Sequence, residues 1–114
     1  MKCRRGDIWL VAFGDPEGRE QSGTRPAVVV SSDLLNEGPS GIVIVVPATT
    51  SHRGLPSHIE ITKGDSGLDE VSYAKCEDVK SVSDRRLITR LGETGPAVMF
   101  EISRALRLLM DLIA

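Results

Sequence analysis

The chain has 114 residues, of which 40% are hydrophobic and 26% charged, and its formal net charge is −2. This length favours one domain, residues 1–114, and the near-neutral charge excludes a protein that is basic throughout. No apolar run approaches the roughly 20 residues that span a bilayer, and the basic start lacks the apolar segment of a secretory signal. We therefore expect a cytoplasmic protein with no membrane partner.

Short apolar segments bounded by glycine, proline and polar residues predict strands along most of the chain. The predicted strands are residues 7–13, 26–31, 42–46, 58–62, 71–76 and 87–91, with a short edge segment at 79–82. The third strand is expected to stop at Pro47. Ser32 is expected to cap one helical turn over 33–36, and residues 84–86 are expected to form a turn or a single helical turn.

The end of the chain predicts a helix. Gly95-Pro96 is typical of a helix start. Apolar residues then recur at spacings of three and four, which marks one face of an amphipathic helix; they are Val98, Met99, Ile102, Ala105, Leu106, Leu109, Met110 and Ile113. Short strands covered by one such helix indicate a mostly β (α+β) fold, with a small, strongly bent antiparallel sheet or barrel.

Arg25 stands where a polar loop meets an apolar strand. The loop ends in Gln-Ser-Gly-Thr, and Pro26 biases Arg25 towards an extended conformation. A guanidinium held at such a junction is suited to grip a phosphate, because its fork of N–H donors matches two phosphate oxygens. The alternative is a simple ion pair with a nearby carboxylate such as Glu20.

Three polar clusters border the predicted strands, and strand ends on one side of a small barrel converge. The clusters are Arg19 and Glu20 with Arg25; Thr49, Thr50, Ser51, His52 and Arg53; and Lys75 with Glu77. Together they suit cleavage of an RNA phosphodiester by the ribose 2′-OH, which needs a base, an acid and stabilisation of negative charge. Because RNA supplies its own nucleophile, neither a serine or cysteine triad nor a metal is required.

Each cluster also has a structural interpretation. Thr49 and Thr50 would satisfy backbone groups in a turn, and Lys75 and Glu77, which together with Tyr73 should share a strand face, would be solvated charges or a cross-strand pair. His58 is interpreted as a partly exposed strand residue, and His52 is a candidate imidazole in the loop.

The two cysteines, Cys3 and Cys76, belong to no CxxC pattern, and in a cytoplasmic protein both are expected to be free thiols. His52 and His58 have no cysteine companions at a zinc-ligand spacing. The sequence therefore predicts no metal site and no cofactor.

The segments RRGDIWLVAF, GREQSGTRPAVVVS and VVPATTSHRGLP, followed by the terminal amphipathic helix, resemble the MazF/PemK/Kid family of toxin endoribonucleases. The resemblance covers nearly the whole chain. It implies an SH3-like, CcdB-like barrel and a homodimer that cleaves single-stranded RNA without metal. It also implies a cognate antitoxin, whose acidic tail would fold into a basic groove of the toxin.

The resemblance assigns roles by position. Arg25 and Thr49 match the family's catalytic arginine and threonine, and Glu20 matches its loop glutamate. Lys75 and Glu77 stand where Kid-like members carry an arginine and an aspartate, and Arg19 stands where they carry a histidine. The expected catalytic residues are Arg25, Thr49, Glu20 and Glu77, and the expected substrate-binding residues are Arg19, Thr50, Ser51, His52, Arg53 and Lys75.

Two other functions remain open at this stage. A CcdB-like toxin on the same fold would bind DNA gyrase through a C-terminal Trp-Gly-Ile, whereas this chain ends in Asp-Leu-Ile-Ala and its only tryptophan is Trp9. A non-catalytic relative would bind RNA without cutting it. In either case of RNA binding, the recognition sequence depends on groove shape and on loop contacts to splayed bases.

Overall fold

The structure, a computed structural model, describes residues 3–14 and 23–112. All the predicted strands are present, and so is the terminal helix. The strands are β1 (Asp7–Ala12), β2 (Thr24–Val29), β3 (Ile42–Thr49), β4 (His58–Ile61), β5 (Ser72–Lys75), β6 (Lys80–Ser83) and β7 (Leu87–Glu93). The α-helices are α1 (Asp33–Glu37) and α2 (Pro96–Leu109), and the 3₁₀ helices are Cys76–Asp78 and Asp84–Arg86.

The strands form one antiparallel sheet in the order β4-β5-β3-β2-β1-β7, with β6 also paired to β3. The antiparallel mostly β class with a C-terminal helix is confirmed. Within residues 3–14 and 23–112 the sheet is not closed, because no ladder joins β4 to β7. In the described residues the expected barrel is therefore an open sheet, and β3 lies at its centre.

Strand β3 runs two residues beyond Pro47, so the prediction that it stops there was wrong. On the side away from β2, β3 pairs with β6 from Ile42 to Val45 and with β5 from Ala48 to Thr49. The 3₁₀ helix Cys76–Asp78 interrupts the partner between these two ladders. Pro47, which has no N–H to donate, falls in that gap, so the strand can continue to Thr49.

The two sheet faces bury separate apolar clusters. Trp9, Val11 and Phe13 belong to a first cluster, with side chains from β2, β3, β6 and the start of β7. Ile8 belongs to a second cluster, which β4, β5 and Ile102 and Ala105 of α2 complete. Side chains alternate between the faces of a strand, and helix α2 packs on the face of the second cluster.

No helix among the described residues is long and apolar enough to cross a membrane. Cys3 and Cys76 are both buried free thiols.

Candidate active site

Arg25 and Thr49 occupy corresponding positions at one end of the sheet. The β2–β3 ladder pairs Val29 with Val45 and ends at Ala27 and Pro47. Two residues further along each strand are Arg25, which is exposed, and Thr49, which is half-buried. Because each step of two residues returns to the same face, both stand on the face of the first cluster, just beyond its apolar part.

The same row of positions continues across the sheet. Thr49 pairs with Tyr73 of β5, and Tyr73 pairs with Glu60 of β4. In the next row on this face, roughly 7 Å along the strands, Lys75 pairs with His58. Strand register thus brings Arg25, Thr49 and Lys75, one residue from each predicted cluster, to one surface.

The segment after β3 turns back over this surface. The Thr49 hydroxyl accepts a hydrogen bond from the Ser51 N–H at 3.2 Å, which is the turn role that the structural interpretation gave it. This hydrogen bond does not use the hydroxyl's own proton. The His52 ring then stacks on the Tyr73 ring, with centroids 5.0 Å apart and planes inclined by 24°. Ser51 and Arg53 are exposed beside it.

Glu77 does not continue the strand face of Tyr73 and Lys75, so that prediction was wrong. It lies in the 3₁₀ helix after β5, where strand alternation no longer holds. Its carboxylate accepts hydrogen bonds from Ser57 Oγ at 2.8 Å and from His58 Nε2 at 2.7 Å. Partial burial opposes its ionisation, but these two donors and a backbone hydrogen bond favour the ionised form, and the net effect is a lowered pKa of Glu77.

His58 is a partly exposed strand residue, as predicted, but its side chain is buried, so the exposure is that of its backbone. That side chain is only 3% exposed, against 36% for Glu77. Sequence reasoning also passed over Tyr73 as a site residue. The alternation of β5 was the signal that could have found it, because Tyr73 and Lys75 share a face.

Lys75 forms an ion pair with Asp78, at 2.9 Å between Nζ and Oδ2. The two side chains are 26% and 23% exposed, so this pair borders the surface and does not project freely into solvent. It fixes the position of the ammonium group one row from Thr49.

Thr50 lies apart from the other predicted residues. Following Thr49, it turns to the opposite face and lines a cavity of about 310 Å³ together with Leu10, Pro26 and residues 67–70. The predicted substrate-binding set is therefore divided between the two faces of the sheet.

Arg19 and Glu20 lie outside the described residues. Among residues 3–14 and 23–112, no group of three or more His, Cys, Asp or Glu side chains is placed to hold a metal ion.

Known proteins are similar to this chain along nearly its whole length. The model of the PemK-like, MazF-like toxins of type II toxin–antitoxin systems matches residues 4–110. The endoribonuclease MazF9 of Mycobacterium tuberculosis (strain ATCC 25618 / H37Rv) is 32% identical, over 96% of this chain and 97% of that protein.

Solved structures share the fold. MazF of Deinococcus radiodurans superposes with a TM-score of 0.85 at 24% identity, over 97% of this chain and 98% of that chain. An endoribonuclease from Mycobacterial species, solved in complex with its cognate antitoxin, gives 0.82 at 25% identity and covers 98% of both chains. The match to the family model and the 32% identity to MazF9 show that the chain belongs to the PemK/MazF family of toxins of type II toxin–antitoxin systems.

Proposed function

We propose that this toxin endoribonuclease cleaves single-stranded RNA at the surface that carries Arg25 and Thr49. The ribose 2′-OH attacks the adjacent phosphorus, the bond to the 5′-oxygen breaks, and the products are a 2′,3′-cyclic phosphate and a 5′-OH end. One observation carries the proposal: the register of β2 and β3 gives Arg25 and Thr49 corresponding positions on one face. A phosphate between them would meet both a guanidinium and a hydroxyl.

Arg25 binds the scissile phosphate and stabilises the charge that develops on it. A guanidinium stays charged at neutral pH and is a poor proton donor, so its role is electrostatic. Thr49 donates its hydroxyl proton to a phosphate oxygen while its oxygen accepts from the Ser51 N–H. That backbone donor fixes the hydroxyl in place before RNA binds.

Glu77 is the proposed general base for the 2′-OH, and Glu20 is the second candidate for this step. The lowered pKa of Glu77 keeps its carboxylate ionised at neutral pH, which is the form that accepts a proton, although the same hydrogen bonds reduce its basicity. Lys75, held by Asp78, is assigned to phosphate binding, as is Arg19. A proton from the Lys75 ammonium group or from solvent water completes the 5′-OH when the bond to the 5′-oxygen breaks.

The His52–Tyr73 stack is suited to an unstacked RNA base. Single-stranded RNA is commonly recognised by stacking of splayed bases on aromatic rings. His52 is exposed and Tyr73 half-buried beside Thr49, so a base next to the scissile phosphate would extend the stack. Ser51 and Arg53, which are exposed beside the stack, would contact the neighbouring nucleotides. Thr50 faces the opposite side of the sheet and is left out of this surface.

The reaction as proposed uses only groups of the chain and of the RNA, so it requires no metal. The proposed partners are single-stranded RNA, a second copy of the chain in a homodimer, and a cognate antitoxin with an acidic C-terminal tail. A toxin that acts on cellular RNA would work in the cytoplasm.

The rate at which the Arg25→Ala variant cleaves single-stranded RNA tests the proposal. The matched control is Arg85→Ala, because Arg85 is an exposed arginine that follows the Ser83–Ile42 pair at the other end of β3. In EDTA we expect the Arg25 variant to lose about 100- to 1000-fold in rate, as when an oxyanion donor is removed, and the control to match the parent protein.

The substrate gives a second test. RNA with a 2′-methoxy group at the cleavage site should not be cleaved, because it lacks the 2′-OH that attacks the phosphorus. Cleavage of that RNA, or an absolute metal requirement, would contradict the mechanism. Binding of RNA without any cleavage would instead identify a non-catalytic relative, and inhibition of gyrase supercoiling would identify a CcdB-like toxin.

A further inference from the structure

The His58 side chain is placed in an unusual way for a strand histidine. It is 3% exposed, and its only hydrogen bond among residues 3–14 and 23–112 is from Nε2 to Oε2 of Glu77, at 2.7 Å. Its other ring nitrogen, Nδ1, is buried and has no hydrogen-bond partner in the same described residues. A buried N–H without an acceptor is costly, so the proton belongs on Nε2, which donates to Glu77.

We propose that His58 is a positioning residue for the ribonuclease reaction: its Nε2–H, together with the Ser57 hydroxyl, fixes the orientation of the Glu77 carboxylate towards the RNA. This inference rests on the proposed role of Glu77 as general base. The two donors use different oxygens of the carboxylate, Oε1 for Ser57 and Oε2 for His58. Each oxygen keeps a lone pair that can accept the 2′-OH proton.

The position of His58 in the sheet fits this role. His58 pairs with Lys75, one row from Tyr73 and Thr49 on the same face. A carboxylate tethered to His58 is therefore anchored to the rigid sheet that also carries Thr49. Without that tether, Glu77 is an exposed residue of a three-residue 3₁₀ helix, and its side chain would sample several rotamers.

Among residues 3–14 and 23–112, the titratable groups placed next to Glu77 are those of its own segment and of His58. His58 is the first residue of β4, and Ser57 directly precedes it in the chain. Lys75 and Asp78, which flank Glu77 in the chain, form an ion pair with each other. The buried Cys76 thiol precedes Glu77, and helix α2 contributes the apolar side chains Ile102 and Ala105 to the cluster around Cys76. A substitution at His58 should therefore act mainly on the orientation and the pKa of the Glu77 carboxylate.

Two substitutions at His58 separate the hydrogen bond from the ring. In His58→Gln the side-chain amide can still donate to Glu77, whereas His58→Leu fills similar space without a donor. For His58→Leu we expect kcat to fall about 10- to 100-fold, as for a small misplacement of a catalytic group, with little change in KM. His58→Gln should recover most of the lost activity.

The pH profile gives a readout that a merely structural role would not move. The His58 donor favours the ionised form of Glu77, so its loss raises the pKa of that carboxyl. Because the base must be ionised, the acid limb of kcat against pH should move to higher pH in His58→Leu and stay near its parental position in His58→Gln. If His58→Leu does not fold, Ser57→Ala, which removes the other donor, should produce a shift in the same direction.

A spectroscopic test needs no activity. The chain has two histidines, His52 and His58, so ring ¹⁵N signals of the labelled full-length protein can be assigned with His52→Ala. We expect the Nε2–H tautomer for His58 and a changed signal in Glu77→Gln. An Nδ1–H tautomer would overturn the inference, and so would equal activity and equal pH profiles for the parent protein and both His58 variants.

The inference and the function proposed above fail in different ways. If Glu77→Gln cleaves RNA as fast as the parent protein, the assignment of the base fails and the role of His58 fails with it. If Glu77→Gln is inactive while His58→Leu matches the parent protein, only the inference about His58 is wrong.

Discussion

At the scale of single residues, the site depends on a hydroxyl that the backbone holds. Thr49 Oγ1 accepts from the Ser51 N–H at 3.2 Å, so a hydroxyl at this position is oriented before RNA binds. Thr49→Val keeps the shape of the side chain and removes the hydroxyl. We expect it to lose about 100-fold in cleavage rate, comparable to the loss of one oxyanion donor, and Thr49→Ser to retain most of the rate. Equal rates for the two variants, measured on one RNA, would remove Thr49 from the reaction.

The cysteines offer a second prediction at this scale. Burial, and secondarily the charge of Glu77, raises the pKa of Cys76 to about 11. At pH 8 roughly one Cys76 side chain in a thousand is then a thiolate, and thiolates are the reactive form. Disulfide reagents should therefore modify native Cys76 far more slowly than the same thiol in denaturant. Fast native modification of Cys76, located by peptide mapping, would show that the second cluster is open to solvent.

At the scale of elements, register decides which residues meet, and sequence alone predicts register poorly here. The apolar runs of β2 and β3 predict two strands, but a shift of one residue would leave both equally apolar. The sequence could therefore predict that strand ends converge, but not that Arg25 and Thr49 occupy corresponding positions. Pro47 and Glu77 were misjudged for a related reason: the gap opposite Pro47 and the 3₁₀ helix around Glu77 both result from how neighbouring strands pair.

A close backbone approach gives a prediction for the turn before β5. Gly67 has φ +72°, and a Cβ there would collide with the backbone carbonyl of Leu91. Gly64, in the same turn, also has a positive φ, +99°, but open space around it. Gly64→Ala should cost about 1 kcal/mol for left-handed strain. Gly67→Ala should cost roughly a further 1–3 kcal/mol, because the turn must also move away from β7.

Urea unfolding of the two glycine variants checks this difference. Equal free energies of unfolding for Gly64→Ala and Gly67→Ala would contradict the close approach of residue 67 to β7.

At the scale of the whole molecule, two apolar clusters share one central sheet. Trp9, the only tryptophan, is buried in the first cluster, and α2 is packed on the second. Since β1, β2 and β3 contribute side chains to both clusters, we expect a single cooperative unfolding transition. Trp9 fluorescence and the helical circular dichroism signal should give the same midpoint. Two separate midpoints would show that the clusters are independent folding units.

The arrangement of the whole molecule explains which features could be predicted from the sequence. Hydrophobic periodicity predicted the central strands and the terminal helix, because these elements direct apolar side chains into one of the two clusters. The motif around Arg25 and the segment after β3 predicted the candidate site. The burial of His58 could not be predicted, because it depends on Ser57 and Glu77, and Glu77 is nineteen positions further along the chain. Residues 15–22, which include Arg19 and Glu20, lie outside the described residues, so their roles stay predictions.

The central claim is that Arg25 and Thr49 act together on one RNA linkage, and a double-mutant cycle measures this directly. Arg25→Ala, Thr49→Val and the double variant are compared by kcat/KM on one RNA in EDTA, with Arg85→Ala paired with Thr49→Val as the control cycle. Groups that act on one transition state are strongly non-additive. We predict that the double variant loses much less activity than the product of the two single losses, while the control cycle is additive. Losses that multiply in the Arg25–Thr49 cycle, as in the control, would contradict the account.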